Sequence, residues 1–330
     1  MLTYHQTYTT LVFKLLLRHE FRVSTHIYNF TERKKMAKPN IGFIGLGLMG
    51  SAMVGRLQSL EYPLTIMANV SRPRVDEAVA AGAVEVTSGK AVAEASDIVM
   101  LCMDTSASVE GRMRGEDGII SGLKPGTVVI DFGTSLPAST KALGEEVAAA
   151  GCTYLDGPLG RTPAQAVDGL LNIMCSGDKT AFEKIKPVLE DLGENVFYLD
   201  ELGSGNAIKL INNFFGMTTA SAMAEAFAMA DQAGVSRESL YDVMAAGPLR
   251  SVMMDLVKAY GVDGDPSKLG FSIRNAAKDV GYYNQMSLDL GTTTTMSVST
   301  NKAFKAAVDQ GMGDNMVSEM VDFFAKDLTK

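Results

Sequence analysis

The chain predicts an α/β fold: a doubly wound, mostly parallel sheet, followed by an all-helical C-terminal domain joined to it by a long helix. Three observations carry this reading. Apolar strand-like runs alternate with helical stretches as far as about residue 200, the pattern of a parallel sheet covered on both faces. Residues 41–50 read Ile-Gly-Phe-Ile-Gly-Leu-Gly-Leu-Met-Gly, a buried-strand run entering a glycine cluster. After Gly203 no strand signal remains, and Asn206–Gln232 is one apolar stretch without proline and with a single glycine, Gly216.

The elements follow in order. Ile41–Ile44 is the first strand, and Gly45, Gly47 and Gly50 follow it as G-x-G-x-x-G before a helix in Ala52–Leu60. Gly45 makes the tight turn, Gly47 lets backbone approach a pyrophosphate, and Gly50 lets helix and strand pack closely. The helix N-terminus offers free N–H groups and a positive dipole end. Strand, glycines and helix in this order make the run a dinucleotide-binding fingerprint of Rossmann type; Leu46, Leu48 and Met49 complete the cofactor-facing loop. Leu64–Ala68 is the second strand and Pro73–Ala81 a helix. Asp97–Met103 is a strand apolar on both faces, and its last residue, Met103, is placed beside the cofactor. Thr127–Asp131 follows the Lys124-Pro125-Gly126 turn, and Pro137–Ala150 is a helix with proline at its start and Gly151 past its end. Thr153–Asp156, Leu171–Ser176 and Val196–Leu199 complete the strands. The later helices are Asn206–Gln232, Arg237–Ala245, Ser251–Tyr260, Ile273–Leu288, Thr294–Gln310 and Met316–Leu328. The first of these is apolar nearly all round, which predicts burial on most sides.

The domains are therefore residues 36–202 for the dinucleotide-binding part and 203–330 for an all-helical part that serves substrate and dimerisation. Residues 1–35 stand apart. They hold six Lys/Arg against two Asp/Glu, with one short apolar run, Leu11–Leu17, broken by Lys14. That run is too short to span a bilayer and lacks a cleavage site after it. The reading is a disordered upstream extension with Met36 as the natural start, and a mitochondrial transit peptide is the alternative.

Composition excludes several classes. The chain beyond residue 35 carries 24 basic against 36 acidic residues, which argues against nucleic-acid binding. Three cysteines, Cys102, Cys152 and Cys175, form no C-x-x-C pair, so neither a disulfide framework nor a metal site is expected, and a reducing cytosol fits best. No membrane partner is expected either. His5, His19 and His26 are the only histidines. Proton transfer in the folded part must then fall to Lys, Asp, Glu, Tyr or Cys.

Three places offer chemistry. An acidic residue normally closes the second strand and binds the ribose 2′-hydroxyl; here Asn69 stands there, with Arg72 and Arg74 following. Two guanidinium groups and no carboxylate favour NADP over NAD, unless both arginines are solvated at a helix start. Lys209 and Asn213 are four apart on the long helix and share a face. A lysine among apolar residues is costly unless it is paired or lines a cleft, and burial would suit it to proton transfer; a snorkelling structural lysine is the alternative. Lastly, Gly160, Arg161 and Thr162 follow a strand and offer glycine N–H groups, a guanidinium and a hydroxyl. These are parts of an anion site, or of a surface turn.

Together the motifs resemble the β-hydroxyacid dehydrogenase family over residues 36–328. They are Gly42 to Gly50, Asp156-Gly157-Pro158, Lys209-Leu210-Ile211-Asn212-Asn213 and Lys278-Asp279. The resemblance implies that Lys209 takes the catalytic lysine position and Asn213 holds the substrate beside it. It implies that Lys278 reaches the cofactor and that Thr134 contacts the nicotinamide ribose. Two places depart from the family pattern. Gly133 stands where the family has serine in Asp-x-Ser-Thr, and Gly160-Arg161-Thr162 stands where the family has Ser-Gly-Gly. Gly-Arg-Thr is similar to the sulfolactaldehyde reductase branch, where the arginine helps to hold a sulfonate, although that branch has a serine near the position of Gly216. The resemblance thus implies a cytoplasmic NAD(P)H-dependent reductase of a small anionic aldehyde, with sulfolactaldehyde as first substrate. The corresponding reactions on 3-hydroxyisobutyrate, tartronate semialdehyde or succinic semialdehyde come second. A homodimer or homotetramer is expected. A cofactor-binding protein without turnover is the alternative of another class, and Lys209 beside Asn213 counts against it.

Overall fold

Successive side chains of the central strands alternate between two cores. Phe43, Ile98, Met100, Val128 and Ile130 belong to one, and Ile44, Val99, Leu101 and Val129 to the other. This is the period of two that a sheet covered on both faces requires. In the computed structural model, which describes residues 37–68 and 72–328, the elements are β1 (Ile41–Ile44), α1 (Leu48–Ser59), β2 (Leu64–Met67), α2 (Arg72–Ala80), β3 (Val84–Val86), α3 (Gly89–Glu94), β4 (Ile98–Leu101), α4 (Ser106–Met113), α5 (Ile119–Gly122), β5 (Val128–Asp131), α6 (Pro137–Ala149), β6 (Thr153–Asp156), β7 (Leu159–Gly160), α7 (Pro163–Val167), β8 (Leu171–Gly177), α8 (Lys179–Leu192) and β9 (Gly193–Tyr198). The helical part follows as α9 (Ser204–Gln232), α10 (Arg237–Ala245), α11 (Val252–Gly261), α12 (Ile273–Asp289), α13 (Met296–Ala307) and α14 (Met320–Asp327). The expectations for residues 1–35, for Met36 and for Asn69 lie outside the described residues.

The sheet runs β3-β2-β1-β4-β5-β6-β8-β7, with β9 also paired to β8. The pairings from β3 to β6 are parallel. β8 is antiparallel to β6 and β7 and parallel to β9. The fold is the expected Rossmann-type sheet followed by helices. The strand order reverses around β1, so the crevice at the C-terminal ends of β1 and β4 is the switch point where such sheets take ligands.

The helical part has its own core, with Phe227, Met254, Ile273, Val280, Phe304 and Met320. The long helix α9 enters that core through Met217, Ala220 and Phe227, while its first residues sit against β8. Burial on most of its sides is not what the structure shows. Ile208, Ile211, Phe215 and Met229 are exposed, because the sheet and the other helices cover α9 from one side only. The helix expected over Thr294–Gln310 ends at Ala307 and continues as a π-turn to Met312, where Gly311 has a positive φ of 85°.

Candidate active site

The glycine run meets its packing demands one residue at a time. Gly45 has φ +103°, and a Cβ there would lie 2.3 Å from the Cys102 carbonyl oxygen. A Cβ on Gly50 would lie 1.9 Å from the Gly45 carbonyl oxygen, so α1 crosses the turn too closely for any side chain. Gly47 differs: a Cβ there would meet nothing within 4 Å. Packing does not require this glycine, and the open space beside it is a cradle for an approaching ligand. Gly47 caps α1 without a side-chain hydrogen bond, and the first turn holds no acidic residue. Its N–H groups therefore remain for an anion. Burial, with Asp131 adding to it, pushes the thiol of Cys102 beside this loop up to about 12.

The loop after β5 is pinned from three sides. Asp131, fully buried, accepts from Gly133 N at 2.8 Å and from Ser135 Oγ at 2.8 Å. Ser135 N donates to Asn206 Oδ1 at 2.8 Å. Lys278 Nζ donates to the Asp104 carbonyl oxygen at 2.6 Å and to that of Thr134 at 3.4 Å. Thr134 is held at its backbone while its hydroxyl makes no hydrogen bond among the described residues. Lys278 lies 5.4 Å from the Tyr282 ring centroid, and the Tyr282 hydroxyl accepts from Ser106 N at 3.1 Å. α12 thus clasps the ends of β4 and β5 across the crevice. Burial pushes the Asp131 carboxyl up to about 6, against the hydrogen bonds from Gly133 and Ser135, and the neighbouring Asp156 adds to the rise.

The N-terminus of α9 rests on Asp156. This fully buried carboxylate accepts from Gly203 N at 2.8 Å, from Asn206 N at 2.7 Å and from the Ser176 hydroxyl. A carboxylate at a helix N-terminus offsets the dipole and satisfies orphan N–H groups. Burial nevertheless raises its pKa above the usual range. One turn further, Lys209 is half-buried and its ammonium has no hydrogen-bond or ion-pair partner among the described residues. Burial lowers its pKa, Lys278 lowers it further, and Asp279 opposes both. Asn213, on the same face, donates from Nδ2 to Asp279 Oδ2 at 2.6 Å and accepts from Asn212 Nδ2 at 3.3 Å. Asp279 is 2% exposed. Its Oδ1 receives no aligned hydrogen bond, although Lys278 Nζ stands 3.1 Å away.

Asn213, Asp279, Lys278 and Thr134 are thus linked in one chain of polar contacts, and Lys209, on the same face of α9 as Asn213, feels the charges of Asp279 and Lys278. Gly45 and Met103 lie at the C-terminal ends of β1 and β4, against Cys102 and Gly133. The other expected residues make their hydrogen bonds and ion pairs elsewhere. Arg72 is held by Asp76 Oδ1 at 2.6 Å and Glu85 Oε1 at 2.6 Å; both partners are acidic residues of the chain itself. Arg74 has no such partner among the described residues. Gly160, Arg161 and Thr162 fold along the sheet edge, because β7 turns back antiparallel onto β8. The expectation that they face the substrate meets competing local partners. Arg161 has φ +78°, its Nη1 donates to the Leu170 carbonyl oxygen at 2.6 Å, and Glu194 Oε2 lies 2.5 Å away. The Thr162 hydroxyl is used in a capping box with Gln165 at the start of α7. No hydrogen bond or ion pair links these three residues to Lys209 or Asn213.

Residues 40–200 match the family model described as the NAD binding domain of 6-phosphogluconate dehydrogenase. Residues 203–324 match that described as NAD-binding of NADP-dependent 3-hydroxyisobutyrate dehydrogenase. The chain is 31% identical over 216 residues to 2-hydroxy-3-oxopropionate reductase of Escherichia coli, covering 66% of this chain and 73% of that one. The chain belongs to the 3-hydroxyisobutyrate dehydrogenase-like β-hydroxyacid dehydrogenase family. It is also 29% identical over 283 residues to 2-(hydroxymethyl)glutarate dehydrogenase of Eubacterium barkeri, covering 85% of this chain and 93% of that one. A 3-hydroxyisobutyrate dehydrogenase structure from Mycobacterium tuberculosis shares the fold, with TM-score 0.78 and 23% identity over 87% of this chain and 99% of that one. The protein is an NAD(P)-dependent oxidoreductase acting on hydroxyl or aldehyde groups. The crevice fits that cofactor: the Gly47 cradle and the free N–H groups of α1 suit a pyrophosphate.

Among the described residues no cluster of three or more His, Cys, Asp or Glu could hold a metal ion. None of their helices is long and apolar enough to cross a membrane. Two residues with marked roles escaped the reading of the sequence as a site, Asp156 and Asn206. Asp156 was visible only as part of a motif, and Asn206 carried no signal beyond standing three residues before Lys209.

Proposed function

We propose that this chain reduces a small anionic aldehyde with NAD(P)H, and oxidises the corresponding hydroxy acid in reverse, with Lys209 as proton donor and acceptor. The observation that carries this is a half-buried ammonium with no partner among the described residues, on the only cation of α9. An unpaired buried charge is costly, so it is kept where a ligand completes it. The bound nicotinamide supplies or accepts the hydride. Gly45, Gly47 and Gly50 would hold its pyrophosphate, and Thr134 and Lys278 its nicotinamide end. Lys209 gives its proton to the oxygen of the nascent alkoxide, and Asn213, braced by Asp279, aligns the carbonyl beside it.

The acid group of the substrate has two readings. A carboxylate semialdehyde is favoured by the Arg161–Glu194 pair, which already neutralises the guanidinium, and by relatives whose names specify carboxylic acids. Sulfolactaldehyde rests on Gly160-Arg161-Thr162 and on the left-handed Arg161, a conformation that costs about 1 kcal/mol and is kept at functional turns more than elsewhere. Its arginine would have to exchange Glu194 for the sulfonate. For the cofactor we infer NADPH, on Arg74, which has no acidic partner among the described residues, while Arg72 has two. A homodimer or homotetramer fits the line Ile208, Ile211 and Phe215, exposed on one face of α9. A reducing cytosol fits three free cysteines.

The test is NAD(P)H consumption at 340 nm with succinic, methylmalonic and tartronic semialdehydes beside sulfolactaldehyde. Turnover of one carboxylate aldehyde at tenfold higher kcat/KM than the sulfonate is expected. A sulfonate preference of that size reverses the order of the two readings, and no turnover of any anionic aldehyde sinks both.

A further inference from the structure

We propose that Asn206 is a positioning residue that locks the Thr134 loop to the helix carrying Lys209, and so fixes the separation of the hydride-donating and proton-donating groups. The inference rests on the reading of Lys209 given above. Asn206 is fully buried, and three polar atoms of this one residue are used. Its Oδ1 accepts from Ser135 N at 2.8 Å, its Nδ2 donates to Thr140 Oγ1 at 3.3 Å, and its backbone N donates to Asp156 Oδ2 at 2.7 Å. Ser135 is the residue after Thr134, and Lys209 lies three residues beyond Asn206 on the same face of α9.

One side chain therefore joins the loop that carries Thr134 to the helix that carries Lys209. The other bonds to the loop do not do this. Asp131 holds Gly133 and Ser135 from within the same strand-loop unit, and Lys278 holds Thr134 O from α12, not from α9. Removing the amide leaves Ser135 N buried without an acceptor. The loop is then free to move relative to Lys209, and misplacement of reacting groups by about 1 Å costs rate out of proportion to binding.

The experiment compares the wild-type full chain with Asn206→Ala and Asn206→Asp, using reduced cofactor carrying protium or deuterium at the transferred position. In Asn206→Ala kcat falls by about tenfold or more, KM for aldehyde and cofactor moves by less than about threefold, and the isotope effect on kcat rises as hydride transfer becomes slower. A role in stability alone would lower the amount of active enzyme and leave the isotope effect unchanged. Asn206→Asp keeps the acceptor oxygen and recovers most of kcat at the acidic end of the profile, where a third buried carboxylate beside Asp131 and Asp156 carries least charge.

Amide hydrogen exchange of the cofactor-free chain is the second arm, independent of turnover. Residues 133–136 exchange about tenfold faster in Asn206→Ala, while residues 128–131 of β5 keep their protection. Unchanged exchange at 133–136 overturns the lock. So does an unchanged isotope effect with kcat within about twofold of wild type. Failure of the parent reading looks different: the wild-type chain itself then consumes no NAD(P)H with any anionic aldehyde.

Discussion

Lys209 is the one cation in the 29 residues of α9, and this isolation is what made it legible in the sequence. Lys209→Met should cut kcat by about 10² to 10⁴, the usual worth of a general acid, with cofactor affinity measured by fluorescence nearly unchanged. Retention of a third of the turnover would show another proton donor. Burial sets the sign of the pH dependence. Reduction needs the ammonium, so its rate falls as pH rises through a pKa below the ordinary lysine range; oxidation needs the amine and rises through the same pKa. Asp131 gives a second sign. Its folded pKa of about 6 lies above its unfolded value, near 3.8. It therefore favours the folded state below pH 4, and that contribution is lost as pH rises through 6. Relative to Asp131→Asn, the wild type should lose roughly 3 kcal/mol of unfolding free energy between pH 3.5 and 7, at 1.36 kcal/mol per pKa unit. Parallel stability profiles of the two proteins in denaturant titrations would refute the shift. The companion residues were not legible because their partners are distant: Asp156 caps a helix 47 and 50 residues away, and Asn206 meets Ser135 across 71.

The elements that could be read were those with strong local signals. β1, β4 and β5 are continuous apolar runs, and α6 opens on proline. β3 is a half-exposed edge of three residues, and β7 has only two, too short for any period to show. α8 hid a regular apolar face, Ala181, Phe182, Ile185, Val188, Leu189 and Leu192, behind Pro187 in its interior, a residue that reads as a helix stop. The glycine run was read by motif, and the structure separates its members by what each tolerates. Gly50→Ala places a methyl 1.9 Å from the Gly45 carbonyl oxygen; it should lower the melting temperature by several degrees and abolish cofactor binding. Gly47→Ala meets nothing within 4 Å; it should keep the melting temperature within about 1 °C while weakening the cofactor by about tenfold or more, since only the ligand feels the methyl. Wild-type cofactor affinity in Gly47→Ala would show that no ligand approaches Gly47 closely.

At the scale of the whole molecule, the sheet and the helical part are held together by α9 and by the clasp of α12. Tyr282→Phe deletes the acceptor for Ser106 N and should speed cofactor release severalfold in stopped-flow displacement; an unchanged off-rate would show that the clasp does not close the crevice. Phe215, 72% exposed on the outer face of α9, should hold a second copy; Phe215→Glu should lower the sedimenting mass to that of one chain, and a wild type that already sediments as a monomer contradicts the oligomer. The change from alternating strands and helices to helices alone was legible because strand signals stop before Gly203. The coupling between the parts was not, because it depends on which face of α9 meets which loop. That face has a further meaning. α9 is clamped at Asp156 and packed along one side into the helical core, so it acts as an angular register between the sheet and the helices. Each residue turns it by about 100° and advances it by about 1.5 Å. One residue inserted between Asn206 and Lys209 would swing the ammonium out of phase with the crevice; seven would restore the bearing but displace the helical part by about 10 Å. Length in this stretch is fixed by angle: the interval from Asn206 to Lys209 tolerates no insertion that a loop would absorb.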